Sequence, residues 1–137
     1  MSTSTVPQWR QHTLRGLYLL NFISLFVNSW SDVLAGTLEV DIYPSVAVSF
    51  WAAFSLLNLV GVWNPLRFIP ILMLQLLYKS AWLIGNYRPA NLSGELTPDQ
   101  EEFFWICLAG VLLNLLLIPW KYSWLHFIKY QNQTKSF

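Results

Sequence analysis

The chain has 137 residues, of which 55% are hydrophobic and 11% are charged, and its formal net charge is +1. Soluble domains carry about 25% charged residues, so this chain lacks the polar coat that a globular protein needs in water. The composition excludes a disordered chain, and the small net charge excludes binding of nucleic acid through a basic surface. A small integral membrane protein remains.

Four apolar segments are long enough to cross a bilayer, because a spanning helix needs roughly 20 mostly apolar residues. The predicted spans are about residues 15–35, 45–63, 65–86 and 100–120. Together they leave no room for a folded soluble domain. The sequence therefore predicts an all-α fold in which residues 1–137 form a single transmembrane domain, an antiparallel bundle of four helices.

Basic and acidic residues fall on opposite sides of these spans. Basic residues precede the first span, separate the second from the third and follow the fourth: Arg10, Arg15, Arg67, Lys121, Lys129 and Lys135. All seven acidic residues lie in the other two loops or at the span ends that adjoin them. Because Lys and Arg accumulate in short cytoplasmic segments, both termini are predicted to be cytoplasmic. We expect the membrane to be the plasma membrane, which is the inner membrane in a bacterium.

A cleaved signal peptide is the alternative interpretation of the N-terminus. Basic residues precede an apolar stretch, and residues 33–35 at its end resemble a signal-peptidase cleavage site. Cleavage there would make Gly36 the first residue of the mature chain and leave three spans. The polar residues Asn21, Ser24 and Asn28 interrupt that stretch, which favours a retained span.

The ends of the fourth span carry local signals. Thr97, Pro98 and Gln100 match an N-cap, a proline at the first helical position and a polar third residue, so this helix is predicted to begin outside the bilayer. Beyond Pro119, apolar residues at helical spacing predict a short interfacial helix over about residues 120–130. This segment either anchors the span or docks a partner or lipid.

Lys79 is the clearest ionisable residue inside a span, and such groups mark candidate functional sites because they are costly in hydrocarbon. It shares a helix face with Gln75 and Asn86, while Asn28 and Asp32 share a face of the first span. These five residues form the candidate ligand-binding set. Lys79 is interpreted in three ways: it snorkels toward the outer headgroups, pairs with Asp32 or another acid of the first loop, or binds an anionic ligand or headgroup.

Three amides, Asn21, Asn58 and Asn114, fall at a similar depth near the cytoplasmic side. They predict an interhelical polar layer that holds the spans together through hydrogen bonds. The alternative is a polar pocket that opens to the cytoplasm.

No catalytic motif is present, which favours a protein that is not an enzyme. Cys107 is the single cysteine, and His12 and His126 lie outside the spans, so neither a thiolate cluster nor a haem ligand pair is available. We expect no metal and no cofactor.

In length and number of predicted spans, the chain resembles the small bacterial membrane proteins typified by the DoxX-like proteins, a likeness of plan that transfers no residues. We expect a non-enzymatic accessory or assembly component. Its partners would be the bilayer and other membrane subunits or further copies of itself, with no nucleic acid. The alternatives are a lipid or hydrophobic-ligand binding protein that uses the face around Lys79, and an oligomeric channel or transporter.

Overall fold

The computed structural model describes residues 6–38 and 40–129, and these ranges are helical apart from short turns and contain no strand. The helices are α1 (Gln8–Ala35), α2 (Ile42–Trp63), α3 (Ile69–Trp82), α4 (Arg88–Ser93), α5 (Pro98–Leu117) and α6 (Trp120–Ser123). A π-helical turn, Leu83–Tyr87, joins α3 to α4, and a second one, Trp124–Ile128, follows α6. The all-α prediction is confirmed.

Within the described ranges, three helices are long and apolar enough to cross a membrane: α1, α2 and α5. Large apolar side chains on their surfaces, such as Val27, Val46 and Leu116, are exposed, as expected for helices in contact with lipid. Three such helices indicate an association with membranes. A fourth membrane-spanning helix stays a prediction.

The predicted third span differs from the structure at both ends. Residues 64–68 form a turn, so α3 begins at Ile69, and its regular part has 14 residues. The helix then widens, with the Arg88 N–H donating to the Leu83 carbonyl five residues back. A π-helical turn replaces the usual i→i−4 bonds locally, which shortens the regular α-helix without ending the helical path.

The helix ends have identifiable causes. The Pro7 carbonyl accepts from the N–H groups of Arg10 and Gln11, both at 3.1 Å, so α1 begins well before the predicted residue 15. Gly36 ends α1 in the left-handed region with φ of 70°, and Thr37 N donates to the Asp32 carbonyl at 3.0 Å. This is the usual glycine termination of a helix, which a residue with a side chain adopts only with strain.

The predicted cap of the last long helix is confirmed. Thr97 Oγ1 accepts from Gln100 N at 3.2 Å, and Gln100 Oε1 accepts from Thr97 N at 3.0 Å. Pro98 occupies the first turn, where its missing N–H removes no hydrogen bond. The predicted interfacial segment is helical from Trp120 through Ile128. Its predicted last residue, 130, lies outside the described residues, as do Glu39 and Lys135 of the charge pattern.

The chain divides into two compact units, the first ending at Ile71 and the second beginning at Leu72. In the first unit, α1 and α2 lie close together and run antiparallel. Arg15 Nε donates to the Val62 carbonyl near one end of the pair, and Trp30 Nε1 donates to the Ala52 carbonyl nearer the other.

In the second unit, α5 approaches the rest of the unit most closely at the π-helical turn, and the backbones of α3 and α5 are farther apart than those of α1 and α2. Side chains bridge the wider separation. Two of these contacts, Gln75 with Asn114 and Trp82 with Phe103, show that α3 and α5 are antiparallel.

Candidate functional site

The candidate site is a row of polar contacts between α3 and α5. Gln75 is 2% exposed, Asn114 is fully buried, and Asn114 Nδ2 donates to Gln75 Oε1 at 3.2 Å. One helical turn further along each helix, Lys79 of α3 lies against Gly110 of α5. We call these four residues, Gln75, Lys79, Gly110 and Asn114, the polar seam.

Lys79 is 8% exposed, which is unusual for a lysine. A Cβ added to Gly110 would lie 2.6 Å from Lys79 Nζ and 2.9 Å from its Cδ, so the end of the lysine occupies the volume that any other residue at position 110 would fill. Between residues 72 and 129, no hydrogen bond or ion pair is made by the ammonium. Its three N–H donors therefore enter the polar seam without an acceptor from the described part of this unit.

Asn114 has one unsatisfied atom. Its Nδ2 donates to the Gly110 carbonyl at 2.8 Å as well as to Gln75, while its buried Oδ1 has no partner among the residues that the structure describes. Because a carbonyl can only accept, the Gly110 oxygen determines which end of the Asn114 amide is the nitrogen. Oδ1 is thus a buried acceptor without a donor.

Aromatic rings lie beyond Lys79 toward the other end of α3. Trp82 meets Phe103 edge-on with centroids 4.8 Å apart, and Tyr87 stacks on Phe104 at 4.2 Å. Asn86 follows in the same row but is exposed, and it accepts from Gln100 Nε2 at 2.8 Å. Asn86 therefore helps to hold the start of α5 and lies outside the polar seam.

The first unit contains a second buried amide pair. Asn21 Nδ2 donates to Asn58 Oδ1 at 3.0 Å, and Asn58 Nδ2 donates to the Phe54 carbonyl at 2.8 Å. Beside the pair, the Tyr18 hydroxyl donates to the Pro65 carbonyl at 2.8 Å. Each of these polar groups has its partner inside the unit.

The remaining candidate residues, Asn28 and Asp32, lie on the exposed surface of α1. Asp32 Oδ1 accepts from Thr37 Oγ1 at 3.2 Å. These residues belong to the first unit and Lys79 to the second, so the pairing of Asp32 with Lys79 stays a prediction.

The three-membered amide layer also stays a prediction as a whole. Asn21 and Asn58 contact each other in the first unit, whereas Asn114 contacts Gln75 in the second. Sequence reasoning assigned no role to the glycines beside these amides. A signal was present, since Gly61 follows Asn58 by one turn and Gly110 precedes Asn114 by one turn on the same helix faces.

The described residues contain no group of three or more His, Cys, Asp and Glu side chains that would hold a metal ion. The fold and the site together define an all-helical protein with membrane-length apolar helices and a buried polar seam. No known protein family, curated protein or solved structure matches the chain. Function is therefore inferred from the side-chain contacts of the two units.

Proposed function

We propose that the chain crosses the plasma membrane four times as an antiparallel bundle with both termini in the cytoplasm. The third span is supported by the continuous helical path through α3, the π-helical turn and α4. This path is longer than α3 alone, which has too few residues to cross a bilayer. The separation of basic from acidic segments supports the orientation.

Reporter insertions test this topology. A reporter inserted at Gly94 is expected on the opposite side of the membrane from one inserted at Asn64, the exposed residue between α2 and α3, and from one fused to the C-terminus. Reporters at Asn64 and Gly94 on the same side would contradict a span through α3 and therefore four spans. Gly94 suits the insertion because it lies in an exposed turn with φ of 76°.

We further propose that the protein is a non-enzymatic membrane protein whose polar seam binds an anionic lipid headgroup. The observation that carries this proposal is Lys79, a residue that is 8% exposed and whose ammonium makes no hydrogen bond or ion pair between residues 72 and 129. Removing an ammonium from water costs several kcal/mol unless a counter-charge and acceptors replace the water. An oxyanion supplies both.

A lipid suits this position better than a water-soluble anion. Lys79 lies roughly 10 Å from residue 86, the outer end of the predicted third span, at 1.5 Å per residue, within reach of an outer-leaflet headgroup that is drawn inward. Exposed apolar side chains such as Leu77 and Ile84 flank this part of the helix and offer a surface for acyl chains. The wider spacing of α3 and α5 leaves the interhelical contact to side chains, which move more easily than backbones.

Lipid binding is measured with purified protein in nanodiscs of phosphatidylcholine that contain a small fraction of phosphatidylglycerol, by counting retained lipids with native mass spectrometry. Lys79→Met is expected to weaken retention of phosphatidylglycerol at least about tenfold, because hydrogen bonds to charged groups contribute about 1.5–3 kcal/mol. Lys121→Met removes the same charge from an exposed position and serves as the matched control.

Equal retention by the two variants would contradict the proposal. A millimolar addition of inorganic phosphate distinguishes the source of the anion. A lipid site keeps its phosphatidylglycerol under these conditions, whereas displacement by phosphate would show that a free oxyanion is the preferred ligand.

An assembly component is the second candidate function. Ser24, Asn28 and Asp32 lie along the exposed surface of α1, where polar side chains are unfavourable in contact with lipid. A partner helix that covers this stripe would remove the cost. In a Cys107→Ser background, we expect Asn28→Cys to cross-link into one product of fixed stoichiometry, and Ile23→Cys, which is also exposed on α1, to give none. The same products from both positions would contradict a specific partner.

A further inference from the structure

We infer that the anionic ligand of the polar seam carries a hydrogen-bond donor next to its charged oxygen atoms. This inference rests on the proposed lipid binding and adds the chemistry of the headgroup. Asn114 Oδ1 carries it, because this oxygen is buried and accepts no hydrogen bond in the described parts of the chain. A buried acceptor that stays unsatisfied is unfavourable, so a ligand that donates to it binds more tightly than one that does not.

Asn114 and Lys79 both lie next to Gly110. The lysine end occupies the space over Gly110, and Asn114 Nδ2 donates to the Gly110 carbonyl at 2.8 Å. Oδ1 belongs to the same planar amide as that nitrogen, so we infer that one headgroup bound at Gly110 reaches both the ammonium donors and this acceptor. The absence of a side chain at Gly110 leaves this volume to the lysine, whose flexible stem permits it to move aside for a ligand.

The other two members of the polar seam do not supply the missing donor. Gln75 presents its Oε1 to Asn114 Nδ2, and Gly110 presents its carbonyl to the same nitrogen. Both therefore meet Asn114 as acceptors at its nitrogen end. The Lys79 ammonium makes no hydrogen bond to Oδ1 either, so this oxygen has no partner among the described residues and a donor on the ligand would be its first.

The ligand class follows from this pattern of donors and acceptors. Its charged oxygens accept from Lys79, and an O–H or N–H group on the same headgroup donates to Asn114. Phosphodiesters with a hydroxylated head and monoprotonated phosphomonoesters meet both requirements. A phosphodiester that ends in a methyl group has the same single charge but lacks the donor, and a choline head lacks both the net charge and the donor.

The test compares phosphatidylglycerol with phosphatidylmethanol of identical acyl chains in nanodiscs, with retention measured by native mass spectrometry. Both lipids carry one negative charge, and only the first has hydroxyl donors. We expect the wild-type protein to retain phosphatidylglycerol about fivefold better, the ratio given by one net hydrogen bond. Asn114→Leu is expected to remove this preference. Asn58→Leu, which removes the buried amide of the first unit, is expected to keep it.

The wild-type comparison needs no variant, so it tests the inference even if Asn114→Leu fails to fold. Equal retention of the two lipids, with Lys79→Met weakening both, would overturn the donor requirement and leave the proposed lipid binding intact. Retention that does not depend on Lys79 for either lipid would overturn both. A preference that survives in a folded Asn114→Leu variant would also overturn the inference, since the hydroxyl would then be bound elsewhere.

Discussion

In both units a side chain packs over a glycine beside a buried amide pair, but the two units differ in whether that side chain is hydrogen-bonded. Each has a buried amide pair between antiparallel helices and a glycine one turn from one of the amides. In the first unit, the ring of Tyr18 fills the space over Gly61, and its hydroxyl is bonded to the Pro65 carbonyl. In the second, Lys79 fills the space over Gly110 without a hydrogen bond from residues 72–129.

The distance between the paired helices also differs between the two units. The first unit brings α1 and α2 close together, so the asparagine side chains of Asn21 and Asn58 reach each other directly. The second unit keeps α3 and α5 farther apart and bridges them with the longer side chains of Gln75 and Lys79. A neutral, fully bonded contact is what a structural element needs. A charged side chain with an unsatisfied acceptor beside it can bind a ligand, and the proposed lipid binding is therefore located in the second unit.

The largest expected change in stability comes from replacing Gly61 by alanine, and the same replacement at Gly110 is its matched comparison. The new Cβ at Gly61 would lie 2.6–2.9 Å from three ring atoms of Tyr18, which its hydroxyl bond holds in place. We expect Gly61→Ala to lower the free energy of unfolding by about 1–3 kcal/mol, as overpacking does. Gly110→Ala meets the flexible end of Lys79 and is expected to leave stability unchanged. Unfolding in detergent measures both, and equal destabilisation would contradict the proposed difference.

The next effect comes from the buried amides. Asn58→Leu removes the acceptor of Asn21 Nδ2, and we expect it to cost about 1–2 kcal/mol of unfolding free energy, near the upper range for polar contacts between membrane helices. Asn114→Leu removes two hydrogen bonds, to Gln75 and to the Gly110 carbonyl, but it eliminates the unsatisfied Oδ1 at the same time, so its cost is expected to be smaller. The same detergent unfolding assay ranks the two. A larger loss for Asn114→Leu would place the structural contact in the second unit instead.

Tyr18→Phe is expected to have a smaller effect, about 1 kcal/mol, because it removes one hydrogen bond and leaves the carbonyl of the buried Pro65 without this donor. The ring still covers Gly61, so packing is retained. Tyr43→Phe, at an exposed position of α2, is the control for loss of a hydroxyl group. If Tyr18→Phe matched the control, the first unit would not depend on its internal hydrogen bonds.

Much of this structure is readable from the sequence where the cause is local. Thr97, Pro98 and Gln100 predict the start of α5 because a helix cap involves only neighbouring residues. The amides and Lys79 are identifiable as special because polar groups are rare in apolar helices. The predicted third span starts at residue 65, whereas α3 begins at Ile69, because residues 64–68, which include Asn64, Pro65 and Arg67, form a turn.

The pairing of the polar residues was not predictable. A helical periodicity shows which residues share a face, but it contains no information on the register of two helices. The predicted depth in the membrane places Asn114 with Asn21 and Asn58, whereas Asn114 contacts Gln75, 39 residues away in the sequence. The π-helical turn at Leu83 likewise has no local sequence signal that we can identify, and it separates the regular part of α3 from the remainder of the predicted span.

Lys79→Met is expected to change stability least, and it shows whether Lys79 is paired. Lys79→Met keeps the length of the side chain and removes a buried charge that has no hydrogen bond or ion pair in the described part of its unit. Unfolding in detergent without added anionic lipid is therefore expected to show no loss of stability, because replacing buried charge by an apolar group of similar volume is often neutral or stabilising. A loss of several kcal/mol would mean that Lys79 is paired. Asp32→Asn would then be expected to produce the same loss, and the polar seam would be a structural contact like that of Tyr18.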